Sequence, residues 1–220
     1  MRLLIAAALT IGLAVSAQTA EKVLQLKPVD HGPQDKSLLE FRNALKGIVA
    51  RKDAPALLKT VAPDIRNTFG DTNGAANFVA IWKPADPKSE VWRVLDLVLA
   101  LGGTFDNKTT FVAPYVFSTF PDDLDAFETV VVTADGAVMR KKPGAAAPIV
   151  RTLDHDILTL VGSITKSQHQ AGPDDWLAVR DVAGRGGFVR QREVRSAVDF
   201  RAYFKKRQGR WRMTILIAGD

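Results

Sequence analysis

Three acidic segments contain the residue types that could bind a metal or transfer a proton. Residues 154–156 read Asp-His-Asp, but consecutive extended residues point to alternate sides, so the three groups would not converge. Residues 121–125 contain carboxylates suited to acid–base chemistry, yet no His is near in sequence. Residues 70–74 match a calcium loop incompletely and lack its Glu. We therefore predict no metal ligand, no cofactor and no catalytic residue, and read all three segments as turns.

The elements with the clearest pattern lie between residues 128 and 195. Short apolar runs are separated there by turn residues at close spacing, which is the pattern of a small β-barrel. The runs fall within residues 128–143, 147–153, 157–161, 176–180 and 184–189. A long polar loop, residues 162–174, lies between the third and fourth runs and contains His169.

The residues of this segment resemble the bacterial Src-homology-3 domain. In that family a Val-Asn-Val-Arg segment and a Gly-Pro loop come first, and a Trp-x-x-Val strand and a Gly-x-x-Gly-Trp-Val segment close the domain. The residues that keep the family's types are Arg140, Pro143, Trp176, Val179, Gly184, Gly187 and Val189. Phe188 stands where the family has its closing Trp. The resemblance covers about a third of the chain.

This resemblance implies a binding module with an aromatic groove for an extended peptide. Trp176 and Phe188 are the aromatic candidates for that groove, and Arg140, Arg185 and Arg190 could pair with carboxylates of the ligand. The alternative is that both aromatic rings belong to the barrel core and that the arginines are only solvated.

The first residues indicate export. Arg2 precedes an apolar run that ends in Val15-Ser16-Ala17, as in a secretory signal peptide with cleavage after residue 17. The run is too short to span a membrane, so we expect a periplasmic protein. Residues 18–36 are polar and are predicted to be a linker. The chain has no Cys, so its folded part must be stable without disulfides.

Charge is distributed unevenly along the chain. The net charge is +6, but residues 180–220 hold eleven Lys and Arg against four Asp and Glu, a net of +7. A basic end favours acidic partners such as wall polymers, anionic head groups or acidic protein surfaces. Export argues against nucleic acid as the partner. Alternatively, these charges simply solvate the polar faces of strands.

Residues 37–127 predict a helical domain with a small sheet. Ser37 and Glu40 match a capping box, and Asp53 with Pro55 marks the start of a second helix. Further helices are predicted over residues 75–82 and from Asp86, the latter with an apolar face and a Gly-Gly end. A short strand is expected at residues 65–69.

Residues 198–217 alternate apolar and polar side chains on both sides of Gln208-Gly209, which predicts an amphipathic β-hairpin. Because the barrel pattern ends before it, we expect this hairpin (residues 196–220) to return to the N-terminal domain. A weaker resemblance to the nuclear-transport-factor-two-like fold, carried by the segment around Asp53 and by the hairpin, supports the same arrangement. The predicted fold class is therefore α+β.

Three functions agree with these patterns. The first is a non-catalytic periplasmic binding or scaffold protein whose barrel binds peptidoglycan peptide or an envelope protein segment. The second is a small hydrolase or isomerase with a pocket in the N-terminal domain and Asp64 or Asp71 as base. The third is a docking or dimerisation surface. The sequence contains no nucleophile–base pair, metal triad or phosphate loop, and this favours the first. It leaves the oligomeric state open.

Overall fold

The computed structural model describes residues 23–219, which form an α+β fold with two sheets. The signal-peptide prediction falls on residues 1–17, outside the described residues. Helices are α1 (Lys36–Arg51), α2 (Ala54–Thr60), α3 (Ala75–Trp82), α4 (Glu90–Ala100) and α5 (Tyr115–Ser118). Three 3-10 turns are η1 (Gly32–Gln34), η2 (Gln168–Gln170) and η3 (Gln191–Glu193). Within residues 23–219, no helix has the length and apolar character needed to cross a bilayer.

The first sheet combines strands from both ends of the chain. Its order is β1 (Val61–Arg66), β12 (Arg210–Ile217), β11 (Arg201–Arg207), β3 (Thr110–Ala113) and β2 (Thr104–Asn107). The hairpin β11–β12 therefore lies at the centre, with β11 antiparallel to β3 and β12 parallel to β1. This pairing agrees with the expected return of the hairpin to the N-terminal part. Its buried side chains and those of α1 and α4 form one core.

One detail of the hairpin differs from the predicted alternation. Tyr203 pairs with Ile215 but Phe204 pairs with Met213, so Thr214 is an extra residue that forms a β-bulge. Beyond the bulge the side chains change face. Leu216 is consequently buried, whereas Ile215 is only half-buried.

The four predicted helices are present, α5 is an additional short helix, and α1 and α4 begin at other residues than predicted. The capping box is wrong, because Asp35 caps α1 by accepting from the Leu38 N–H at 3.0 Å. Asp53 caps α2 as predicted, with Pro55 in its first turn. Helix α4 begins after Ser89 rather than at Asp86. The short strand β1 also begins earlier than expected and contains Pro63, which an edge strand tolerates.

The second sheet has seven strands rather than the five apolar runs. Its order is β10 (Val194–Arg195), β4 (Thr129–Val132), β7 (Ile157–Leu160), β8 (Trp176–Arg180), β9 (Gly186–Arg190), β5 (Val138–Arg140) and β6 (Ile149–Thr152). Side chains of β10, β4 and β5 belong to one buried cluster, so the sheet coils around its core.

The predicted barrel is not closed. Among the described residues the end strands β10 and β6 do not pair with each other. Closure requires the first and last strands of a sheet to pair, and β10 offers only two residues for such a ladder. The hairpin β5–β6 joins the rest of the sheet through the pairing of Arg140 with Phe188.

The described part of the predicted linker, residues 23–36, contacts both sheets. Leu26 donates its N–H to the His155 carbonyl at 2.9 Å, and His31 donates to the Gly103 carbonyl at 2.8 Å. Leu26 is also buried in a third cluster together with Tyr115. The first part of this segment therefore belongs to the fold, because Leu24, Leu26 and Val29 pack in that cluster.

Candidate binding face on the second sheet

Four of the five predicted binding residues lie on one face of three adjacent strands. Trp176 on β8 is paired with Arg190 on β9, and Phe188 on β9 is paired with Arg140 on β5. Directly opposed residues of antiparallel strands project to the same side of a sheet. The intervening Leu177, Val179 and Val189 are buried in the core. We call the side that carries Trp176, Phe188, Arg140 and Arg190 the outer face.

A continuous cross-strand row runs through the centre of the outer face. Val161 donates its N–H to the Ala178 carbonyl, Ala178 pairs with Phe188, Phe188 with Arg140, and Arg140 with Ile149. The terminal residues Val161 and Ile149 are 52% and 54% exposed. The row therefore presents apolar side chains and one guanidinium to solvent.

Trp176 and Arg190 form the second feature of the outer face. The Arg190 guanidinium carbon lies 5.3 Å from the centre of the Trp176 ring, which is cation–π contact. Arg190 also donates to the Pro173 carbonyl at 3.3 Å and lies 3.8 Å from a Glu193 carboxylate oxygen. A pocket of about 330 Å³, lined by Trp176, Phe188 and residues 160–163, opens beside this pair.

Arg140 is held by the loop that follows its strand. Its Nη1 donates to the Ala147 carbonyl at 2.6 Å. Its Nε is buried and has no hydrogen-bond partner within residues 23–219. The guanidinium is thereby fixed beside Phe188 with one donor unused by the described part of the chain.

Arg185 is the predicted binding residue that the structure separates from the others. It lies in the turn between β8 and β9, where its Nε donates to Asp181 at 2.8 Å. The buried Asp181 carboxylate also accepts from Arg151 at 3.2 Å, and Arg151 contacts Asp156. Burial opposes ionisation of Asp181, but the hydrogen bonds and charges of Arg185 and Arg151 lower its pKa overall. Arg185 thus serves an internal charge network.

The loop over residues 162–174 folds back onto helix α4. His169 in η2 is buried, and its Nδ1 lies 2.7 Å from the Ser167 hydroxyl oxygen. Its Nε2 is 3.6 Å from a Glu90 oxygen and its Nδ1 is 3.9 Å from Asp199. Burial lowers the pKa of His169, although both carboxylates oppose this.

Sequence reasoning missed the contact between His169 and Ser167, because nothing in a polar loop indicates burial. The hydroxyl and imidazole are the first pair that nucleophilic catalysis needs. The third group is not within hydrogen-bond distance, since Glu90 is 3.6 Å away. Both Asp199 oxygens instead accept backbone N–H groups, from Gln168 and Phe200. The cluster therefore joins the loop to the segment between β10 and β11, with Glu90 of α4 beside it.

The acidic candidates are occupied by structural contacts or exposed. Asp64 accepts two hydrogen bonds from Arg207 at 2.8 Å, and these lower its pKa, which makes it a poor base. Asp71 is exposed in its turn. Asp156 is buried and holds Arg151. Among residues 23–219 no group of three or more His, Cys, Asp or Glu could hold a metal ion.

Comparison of the chain with family models, curated proteins and solved structures finds no match in any of the three.

Proposed function

We propose that this chain is a non-catalytic periplasmic binding or scaffold protein. In this proposal its second sheet is a Src-homology-3-like module that binds an extended segment of cell-wall peptide or of an envelope protein. Export rests on the pattern of residues 1–17, and the basic C-terminal segment suits a partner with carboxylates.

The observation that carries the proposal is the composition of the outer face. Two aromatic rings, Trp176 and Phe188, lie on neighbouring strands, each beside a guanidinium. Aromatic rings bind the flat, apolar parts of an extended peptide at low entropic cost. Guanidinium groups pair with its carboxylates in a directional manner. A peptide that alternates apolar and acidic side chains is the ligand that these groups fit.

The resemblance to the bacterial Src-homology-3 domain supports the same proposal. Three of the residues that keep the family's types, Arg140, Trp176 and Val189, lie on the adjacent strands β5, β8 and β9. Arg140 and Trp176 belong to the outer face, and Val189 belongs to the core beneath it.

Retention of the purified protein on isolated peptidoglycan sacculi, and on an array of envelope-protein peptides, tests this function. We expect Trp176→Ala and Arg190→Gln each to weaken retention by roughly tenfold, as buried aromatic and Arg contacts do at interfaces. Added salt should weaken it further, because exposed charges are screened. Arg210→Gln, which removes the same charge from an exposed position on the first sheet, should leave retention unchanged. If Arg190→Gln and Arg210→Gln weaken retention equally, the effect depends only on net charge, and the outer face is not a specific binding site.

A further inference from the structure

A second cavity lies on the first sheet, away from the outer face. It has a volume of about 680 Å³ and is bounded by the loop after β1, the end of α3 and the end of β12. Its apolar lining includes Phe69, Ile81, Phe200 and Ile217. Phe69 and Ile81 are 48% and 47% exposed, so large apolar side chains face solvent at this cavity. The cavity thus has the apolar walls of a small-molecule site.

Two buried hydrogen-bond donors without partners belong to residues that line this cavity. Trp82 and Asn67 are each 8% exposed. Neither the Trp82 Nε1 nor the Asn67 Nδ2 has a hydrogen-bond partner in the part of the chain that the structure describes. Buried donors without partners are uncommon and cost free energy. By contrast, the Trp92 and Trp211 indoles donate to the Asp86 carbonyl and the Ser37 hydroxyl.

The orientations of these two donors are determined by their neighbours. The Trp82 ring packs against Phe78 and Phe200, at centroid distances of 6.4 and 5.1 Å. The Asn67 Oδ1 accepts from the Asn77 Nδ2 at 3.3 Å. Asn77 in turn is held by donating to the Thr72 carbonyl at 2.7 Å. Asn67 therefore uses its oxygen inside the protein, and its buried Nδ2 has no acceptor among the described residues.

We propose that this cavity binds a small, predominantly apolar molecule through a carboxylate or carbonyl oxygen. The oxygen accepts from Trp82 Nε1, from Asn67 Nδ2 or from both, and the apolar body contacts Phe69, Ile81 and Phe200. Lys83 and Lys88 also line the cavity and would attract a carboxylate, whereas Asp86 and Glu90, which line it too, would oppose one. This site is independent of the proposed peptide-binding face.

Calorimetric titration of the full-length protein with three probes tests the proposal. The probes are 4-phenylbutyrate, 4-phenylbutyramide and butylbenzene, which share a phenyl ring and a carbon chain. The first carries a carboxylate, the second an amide carbonyl and the third no oxygen acceptor. We expect the acid and the amide to bind at least about tenfold more tightly than the hydrocarbon, because only they satisfy the buried donors. Tighter binding of the acid than of the amide would indicate that Lys83 and Lys88 attract the bound carboxylate. Equal binding of all three, or no binding up to millimolar concentration, would overturn the proposal.

Two variants and a control locate the site. Trp82→Phe keeps an aromatic ring and removes the N–H donor. We expect it to lower the affinity for the acid roughly three- to tenfold. Asn67→Asp keeps the oxygen that Asn77 needs and replaces the donor by an anion, so it should weaken the acid more than the amide. Trp211→Phe removes an indole N–H that Ser37 already accepts and should not change affinity. Equal effects of Trp82→Phe and Trp211→Phe, with no effect of Asn67→Asp, would contradict the assignment. If Trp82→Phe does not fold, the Asn67→Asp variant tests the site by itself. A loss of affinity for the acid no larger than that for the amide would then contradict the assignment.

Discussion

At the scale of single residues, the arginines of the second sheet divide into two groups. Arg140 and Arg190 lie beside aromatic rings on the outer face, whereas Arg185 faces the buried Asp181. Their charges are identical, so only the neighbouring carboxylate and the turn geometry distinguish their roles. Of the three arginines predicted to pair with ligand carboxylates, Arg185 instead contacts a carboxylate of the protein itself.

This division predicts that two substitutions of the same kind differ in how much they lower the free energy of unfolding. Arg185→Gln removes a charged hydrogen bond from a buried carboxylate, and we expect it to lower the free energy of unfolding by about 1–2 kcal/mol. Arg190→Gln removes a cation–π contact and a hydrogen bond but leaves no buried carboxylate without its partner, so we expect a smaller loss of about 0.5–1 kcal/mol. Urea unfolding at neutral pH measures both. A larger loss of stability in Arg190→Gln than in Arg185→Gln would show that the Asp181 network is not the stronger contact.

At the scale of elements, the start of α1 is determined by Asp35 and not by Ser37. The Asp35 carboxylate caps the helix through Leu38 and also contacts Ser37 and Lys206. The hydrogen bond from Ser37 is the main reason that the pKa of Asp35 is lowered. The Ser37 hydroxyl, in turn, accepts from Lys206 and from the Trp211 indole, so this helix end is joined to the hairpin.

We therefore expect Asp35→Ala to lower the free energy of unfolding by about 1 kcal/mol, the usual effect of losing an N-cap. Glu40→Ala, which removes the carboxylate of the sequence-predicted capping box, should have no measurable effect because Glu40 is exposed. Thermal unfolding followed by circular dichroism compares the two. If Glu40→Ala were destabilised and Asp35→Ala were not, the capping box of Ser37 and Glu40 would be the correct description of this helix start.

At the scale of the whole molecule, the C-terminal hairpin holds the first sheet together. Strands β11 and β12 separate β1 from β3 and β2, so without the hairpin the remaining strands have no common partner. Its side chains Phe204, Trp211, Met213 and Leu216 are also part of the core that covers α1 and α4. Each such burial is worth about 1.5–3 kcal/mol, and together they are comparable to the whole stability of a domain.

A chain that ends after Arg195 should therefore lose the cooperative unfolding of its helical part and aggregate. Circular dichroism and sedimentation of the truncated protein measure this. Gln208→Ala, a change in the exposed turn of the hairpin, is the control and should leave the oligomeric state unaltered. A truncated protein that keeps the full helical signal and melting temperature would mean that the first sheet does not need the hairpin.

The sequence by itself determined the features that depend on local periodicity. Helix α3 has the predicted bounds, the buried face of α4 contains Val91, Trp92, Leu95, Val98 and Leu99 as expected, and the hairpin turns at Gln208-Gly209. Each of these follows from side-chain spacing within one element, where a residue's face is determined by its own backbone. The pairing of the hairpin with strands of the N-terminal part was also expected, because the barrel pattern ends before the hairpin and leaves its apolar face without a partner.

Only the tertiary structure decided which groups meet. The outer face depends on the register of β5, β8 and β9, and a one-residue slip would have moved Trp176 and Phe188 into the core. Arg185 was assigned to an internal network by Asp181 and Arg151, which are separated by 30 positions. The bulge at Thr214 likewise depends on a neighbouring strand, and so does the lack of a partner, within residues 23–219, for the buried donors of Trp82 and Asn67. Periodicity shows which side of an element is apolar, but contacts between elements determine whether a polar group is satisfied, buried or left for a ligand.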